Sequence, residues 1–231
     1  MEFLQGSDFW VGLLKIVWIN IILSGDNAVV IALAARSLPP HQQKQAIFWG
    51  SGAAVVLRVV LTLIAVKLLE LPYLQIIGGL LLLWIGVQLL GDEDDEEGES
   101  SETGGLMAAV RTILIADLVM SLDNVIAVAA AAKGSMVLLV LLVLGLLISI
   151  PLVVFGSTLM IKLMERFPII VILGAALIGW VAGETILGDR SLEAVVAANG
   201  WLHYVGPLAG AAFVIVVGKF LQNRTGKTAT S

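Results

Sequence analysis

Three aspartates stand inside long apolar stretches of this chain: Asp26, Asp117 and Asp123. Each has amides and hydroxyls near it at helical spacing. Asn20, Ser24 and Asn27 fall four and then three residues apart, so a helix places them along one face. Asp117, Ser121 and Asn124 repeat that spacing. Asp26 and Asp123 each follow the head of their stripe by six residues and point about 120° away from it in a regular helix. They join the stripe only where the helix unwinds. Gly25 permits this in the first segment, and Leu122 stands in its place in the second. An acid at bilayer-centre depth costs about 2.5–3.5 kcal/mol, so three unpaired acids would cost roughly 8–10 kcal/mol, as much as a whole domain's stability. Water, a proton, a cation or a basic partner must offset that cost. Asparagine alone can also serve simply to join helices.

The donor inventory narrows the chemistry. Carboxylates, amides and hydroxyls are hard oxygen ligands that suit Mn²⁺, Ca²⁺ and Mg²⁺ better than Zn²⁺ or Cu⁺. There is no cysteine, and the two histidines, His41 and His203, fall at span ends or loops, where they read as solvated. Arg58 lies mid-span and either pairs with an aspartate when the site is empty or has a purely structural role, paired or snorkelling. Glu184 lies near the outer end of its span as either a vestibule ligand or an interfacial acid. No nucleophile–base pair, histidine cluster or phosphate-binding glycine loop is present, which disfavours an enzyme and direct ATP hydrolysis.

The elements that hold these residues follow from composition. The chain has 231 residues, 59% of them hydrophobic and 13% charged, with a mean hydropathy of +1.01. An ordinary soluble domain carries roughly 25% charged residues. A water-soluble chain of this size could not hide so much apolar surface, so a cytosolic enzyme, a nucleic-acid partner and a disordered chain are all excluded. The expected class is an all-α membrane protein. Seven apolar runs are long enough to cross a bilayer at about 20 residues each: Trp10–Ala35, Ala46–Val66, Tyr73–Leu90, Leu106–Ala132, Met136–Met160, Ile169–Leu187 and His203–Leu221. The N-terminal segment lacks the basic stretch and cleavage site of a signal peptide, so the first run reads as a retained helix. With the N-terminus outside, eight Lys and Arg fall in inside loops and three (Lys67, Lys133, Arg190) outside, which orients the C-terminus to the cytoplasm of a multi-pass plasma-membrane protein.

Two segments share a core. Ser24-Gly25-Asp26-Asn27 matches Ser121-Leu122-Asp123-Asn124 at an offset of 97, with Asn20 opposite Asp117. Pro72, Gly78 and Trp84 match Pro168, Gly174 and Trp180 at an offset of 96, and Gln88 falls opposite Glu184. Each copy holds three spans. Three is odd, so the copies cross the membrane in opposite directions as inverted repeats, with a site expected between them. The organisation is a first three-helix repeat (1–91), an acidic cytoplasmic linker (92–105), a second repeat (106–188), and a seventh helix with a cytoplasmic tail (189–231). Asp26 then lies roughly 6 Å inward of the midplane and Asp123 roughly 6 Å outward. Either the helices break or tilt at the motif, or two sub-sites lie in series.

The segments S-G-D-N-A-V-V-I-A-L and D-L-V-M-S-L-D-N-V-I-A-V resemble the paired signatures of the TerC family of integral membrane proteins, within the LysE-type exporter superfamily. The resemblance covers nearly the whole chain. It implies metal-ion transport, Mn²⁺ export first, with Asp26, Asp117 and Asp123 as ion ligands. The expected cargo is thus a divalent metal ion, with no permanently bound cofactor. Coupling to H⁺ or Na⁺ and homo-oligomerisation are both compatible with the sequence. Two rival readings are a membrane scaffold that assists metal loading or assembly of secreted proteins, and an exporter of small organic solutes.

The linker holds eight of the 18 acids between Asp92 and Glu102, and without them ten acids face 13 bases. It reads as a solvated spacer, or as a weak antenna for cations. Its field is screened within about 8 Å at physiological salt. Deleting residues 92–102 is therefore expected to reduce transport only modestly, and complete loss of flux in a well-folded deletion variant would make the segment a gate or docking element instead.

Overall fold

The computed structural model describes residues 25–68, 71–91, 102–132 and 136–228, with the backbone alone at 62–68, 102–104, 123–132, 136–149 and 224–228. Eight α-helices and one 3₁₀ turn make up these residues, and no strand occurs among them. The helices are α1 (Gly25–Ala35), α2 (Pro40–Leu68), α3 (Leu74–Gly91), α4 (Glu102–Ala132), α5 (Met136–Arg166), α6 (Ile169–Leu187), α7 (Glu193–Ala198) and α8 (Leu202–Thr228). Helices satisfy their own backbone polar groups, which a bilayer core cannot do for them. Among the described residues, five segments are long and apolar enough to cross a membrane: Pro40–Leu61, Leu74–Gly91, Gly105–Leu122, Ile169–Leu187 and Leu202–Asn223. Each falls on one of the expected runs. The expected run Met136–Met160 lies within the single helix α5, and the first run is described only from Gly25.

Helix α1, described from Gly25 onward, is buried among four other helices. All its residues from Asn27 to Ala35 are buried, as expected of a helix that is apolar around its whole circumference. It packs on α5, α4, α2 and α6, while α2 packs on α4 and α5, and α3 packs on α6 and α4. The contacts between the first three helices and the next three are thus unchanged in kind when the two triplets are exchanged. Matching glycines make matching approaches. A Cβ at Gly78 of α3 would meet Val119 of α4 at 2.8 Å, and one at Gly174 of α6 would meet Val29 of α1 at 2.9 Å. The last helix, α8, packs on the third helix of each triplet, α3 and α6. Gly179 and Gly183 of α6 face Gly210 and Gly206 of α8 so closely that a Cβ on either α6 glycine would strike the opposing backbone carbonyl. Without a hydrophobic driving force between helices in lipid, such small-residue approaches are what holds them together.

Helix α3 is pinned at both ends by residues distant in sequence. Asp189, which follows α6, is buried. Its carboxylate accepts hydrogen bonds from the backbone N–H groups of Tyr73 (3.2 Å), Gln75 (3.1 Å) and Ile76 (3.3 Å) at the start of α3. It also accepts from Ser191 N–H (2.9 Å) and Ser191 Oγ (2.6 Å). Tyr73 has φ 67°, a left-handed conformation that costs roughly 1–2 kcal/mol for a residue with a Cβ, and the Asp189 contact helps to hold it. At the other end, Arg36 Nη2 donates to the Leu89 carbonyl at 3.1 Å. An acid at the N-terminus and a cation at the C-terminus both complement the helix dipole and its unpaired backbone groups.

Burial works against the Asp189 charge, but the bonds from Ser191, Ile76 and Tyr73 outweigh it and hold the carboxyl below its ordinary value near 4. A group depressed on folding stabilises the fold fully above its unfolded value, and that contribution is lost as pH falls through the folded value. Asp189→Asn should therefore destabilise the detergent-solubilised protein at pH 7, by roughly 1–3 kcal/mol for the impaired buried bonds, and should flatten the loss of stability below about pH 4. Thermal unfolding of both proteins across that range checks this, and superimposable curves would contradict it.

Candidate functional site

Four of the expected site residues, Asn27, Arg58, Asp117 and Ser121, come together where α1, α2, α4 and α5 meet. Arg58 of α2 reaches α4, where Nη2 donates to Asp117 Oδ1 at 2.5 Å and Nε donates to Ser121 Oγ at 2.9 Å. Ser121 Oγ in turn donates to Asp117 Oδ2 at 3.2 Å. The three side chains form a closed ring. The four-residue spacing of Asp117 and Ser121 places both on the α4 face turned toward α2, as the stripe of helical spacing requires. The ion pair is desolvated: the side chains of Arg58 and Asp117 are 10% and 8% exposed, and Ser121 is fully buried. Arg58 thus pairs with an aspartate rather than snorkelling, as either a functional or a structural pair requires.

A cavity of about 20 Å³ adjoins the pair, enough for one water molecule. Asn27 of α1, Ser51 and Arg58 of α2 and Asp117 of α4 supply its polar lining, with Ile31, Ala54, Val55, Ile150 and Val153 as its apolar walls. Ser51 is a site residue that the sequence reading missed. Its Oγ is buried and has no hydrogen-bond partner among the described residues. The available signal was its position seven residues before Arg58, which sets the two on one face of α2. The cavity and ring together supply one carboxylate, one amide and two hydroxyls.

Asp26 is half-buried in the first described turn of α1, where its Oδ1 accepts the Asn27 N–H at 2.9 Å. Asn27 lines the cavity beside Arg58 and Asp117, so the first motif and the pair belong to one neighbourhood. Asn20 and Ser24 lie outside the described residues. Asp123 and Asn124 lie on the backbone of α4, and their side chains are outside the described set. Among the described residues, no three of His, Asp and Glu come together as a metal-binding group.

The remaining candidates sit apart. Glu184 is exposed near the end of α6 and does not line the cavity. His41 is exposed beside Gln45 at 3.1 Å, at the start of α2. His203 is exposed on an open cleft with Gln75, Arg190 and Glu193, at the Asp189 end of the bundle.

Known proteins with similar sequences place this architecture in a family. The model of the integral membrane protein TerC family matches residues 5–226. The uncharacterized membrane protein YjbE of Bacillus subtilis (strain 168) is 44% identical over 215 residues, covering 93% of this chain and 97% of that protein. The UPF0053 inner membrane protein YoaE of Escherichia coli (strain K12) is 28% identical over 192 residues, 75% of this chain but only 36% of the longer relative. The uncharacterized membrane protein YkoY of Bacillus subtilis is 27% identical over 197 residues, 77% of this chain and 60% of that relative. No solved structure matches. With a family model spanning almost the entire sequence and a relative matched over nearly its full length, this chain belongs to the TerC family of integral membrane proteins.

Proposed function

We propose that this protein is a secondary transporter that exports divalent metal ions, Mn²⁺ first, from the cytoplasm. The observation that carries the reading is the desolvated Arg58–Asp117–Ser121 ring beside a polar-lined cavity, within helices apolar enough to cross a membrane. Ionisable groups at such depth are expensive and are kept where an ion or proton must pass. The site draws its polar residues from α1, α2 and α4, and so from both sequence repeats. The exchange-invariant packing of the two helix triplets supports seven spans arranged as two inverted repeats plus one helix. It also supports alternating access, with one triplet rocking against the other around the site.

In this mechanism the N-terminus is outside and the C-terminus cytoplasmic. Cargo enters near Asp26, is held between the motif acids and the amide and hydroxyl oxygens, and leaves past Asp123. Mn²⁺ is substrate, not a resident cofactor, and H⁺ or Na⁺ supplies the coupling. The resemblance to the LysE-type superfamily supports the same reading.

The decisive experiment is Mn²⁺ flux by the purified protein in proteoliposomes, with Ca²⁺ and Mg²⁺ as competitors. Flux without any other protein separates a transporter from a scaffold, and an absence of flux from folded, correctly inserted protein would refute the proposal. Asp26→Asn tests the ligand set without breaking an ion pair, since an amide oxygen can still accept the Asn27 N–H. Losing one charged ligand, worth roughly 1.5–3 kcal/mol, should slow Mn²⁺ flux by about 10–100-fold. Asp123→Asn should do the same, with an unchanged elution profile in detergent for both. Wild-type flux in either variant would remove that aspartate from the site.

A further inference from the structure

We propose that Arg58 is a tethered surrogate for the cargo: in the cargo-free protein its guanidinium neutralises Asp117, and it must swing away before a divalent ion can bind there. The inference rests on the cation-export reading and assigns Arg58 a positioning role within it. Arg58 engages both Asp117 and Ser121, so the two α4 groups offered as ligands are already occupied by one internal cation. A guanidinium and a divalent ion at the same carboxylate would repel strongly in so dry a site. The two are therefore alternatives.

Two further features fit an exchange. The cavity beside the ring, with room for one water molecule, lies against the face of α2 along which the guanidinium would have to move. Ser51, two turns away on that face, offers a buried oxygen without a hydrogen-bond partner among the described residues. Both charges of the pair are buried, and removing one partner of a buried ion pair leaves an uncompensated charge. An empty carrier with Arg58 in place thus buries a neutral pair and can reorient. An empty carrier without it must carry a lone carboxylate through the occluded state. Arg58 then serves the return step of the cycle and competes with cargo in the binding step.

These two roles separate in proteoliposomes. Net efflux of radiolabelled Mn²⁺ into Mn²⁺-free buffer requires the empty carrier to return, whereas exchange against unlabelled Mn²⁺ does not. The assay is run at one fixed pH for all variants. In Arg58→Gln, net efflux should fall by about 100-fold or more relative to exchange, the rate ratio expected when a reorienting state loses its charge partner. The apparent Mn²⁺ affinity should tighten by about tenfold, because the competing internal cation is gone. Arg58→Lys keeps a charge that can reach Asp117, folds if the glutamine variant does not, and should restore most of the net efflux.

A folded Arg58→Gln protein in which net efflux and exchange fall together, or in which neither changes, would overturn the proposal. So would Mn²⁺ binding that weakens in the glutamine variant, or a folded lysine variant that loses net efflux. Wild-type protein that moves no Mn²⁺ in either mode would instead refute the transport reading on which this one stands.

Discussion

A guanidinium and a carboxylate facing each other among apolar helices impose the constraint that the rest of the molecule serves. Neither Arg58 nor Asp117 is tolerable alone at that depth, and together they hold α2 against α4. The pair fixes the rotation of both helices, because Ser121 must also fall within reach of the guanidinium. It leaves a polar-lined cavity bounded by α1 and α5. A buried ion pair is weak support for stability, since apolar residues of similar volume often do as well. The proposed transport role gives its presence here a better explanation than the bundle's stability does.

The bundle is held by other means. Close glycine contacts bring α6 and α8 to backbone distance, and matched glycines bring α3 to α4 and α6 to α1. Helix α3 is fixed by Asp189 at its start and Arg36 at its end. Both latches lie away from the cavity, one near the turn between α6 and α7 and the other beyond the end of α1. The two polar latches thus lie at the ends of α3, while the ion pair lies among the helices. That division suits the proposed exchange of partners at the central site while the frame persists.

Membership of the TerC family rests on a model that matches residues 5–226. It agrees with the two aspartate motifs, whose paired occurrence was visible before any helix was placed. The structure adds relations that the motifs do not contain. Asp189 contacts residues 113 to 116 positions earlier in the chain, and no periodicity marks it as a cap. Ser51 resembles any other serine in an apolar helix until the cavity beside it is seen. Arg58 was conspicuous by its depth, but its partner was not.

Local and compositional properties made the protein's class legible from the amino-acid sequence: a charged fraction of 13%, apolar runs of bilayer length, and acids at helical spacing from amides and hydroxyls. These depend on residue identity and on the fixed geometry of one helix, so no tertiary information is needed to read them. They also made it certain that the buried acids needed compensation. Only the tertiary structure decided who supplies it. Arg58 pairs with Asp117 across a separation of 59 residues and with Ser121 across 63. Which acid an arginine meets depends on the rotation, tilt and register of two separate helices. Those are set by side-chain packing over the whole interface, and packing is a property of the assembled bundle that no single segment of sequence carries.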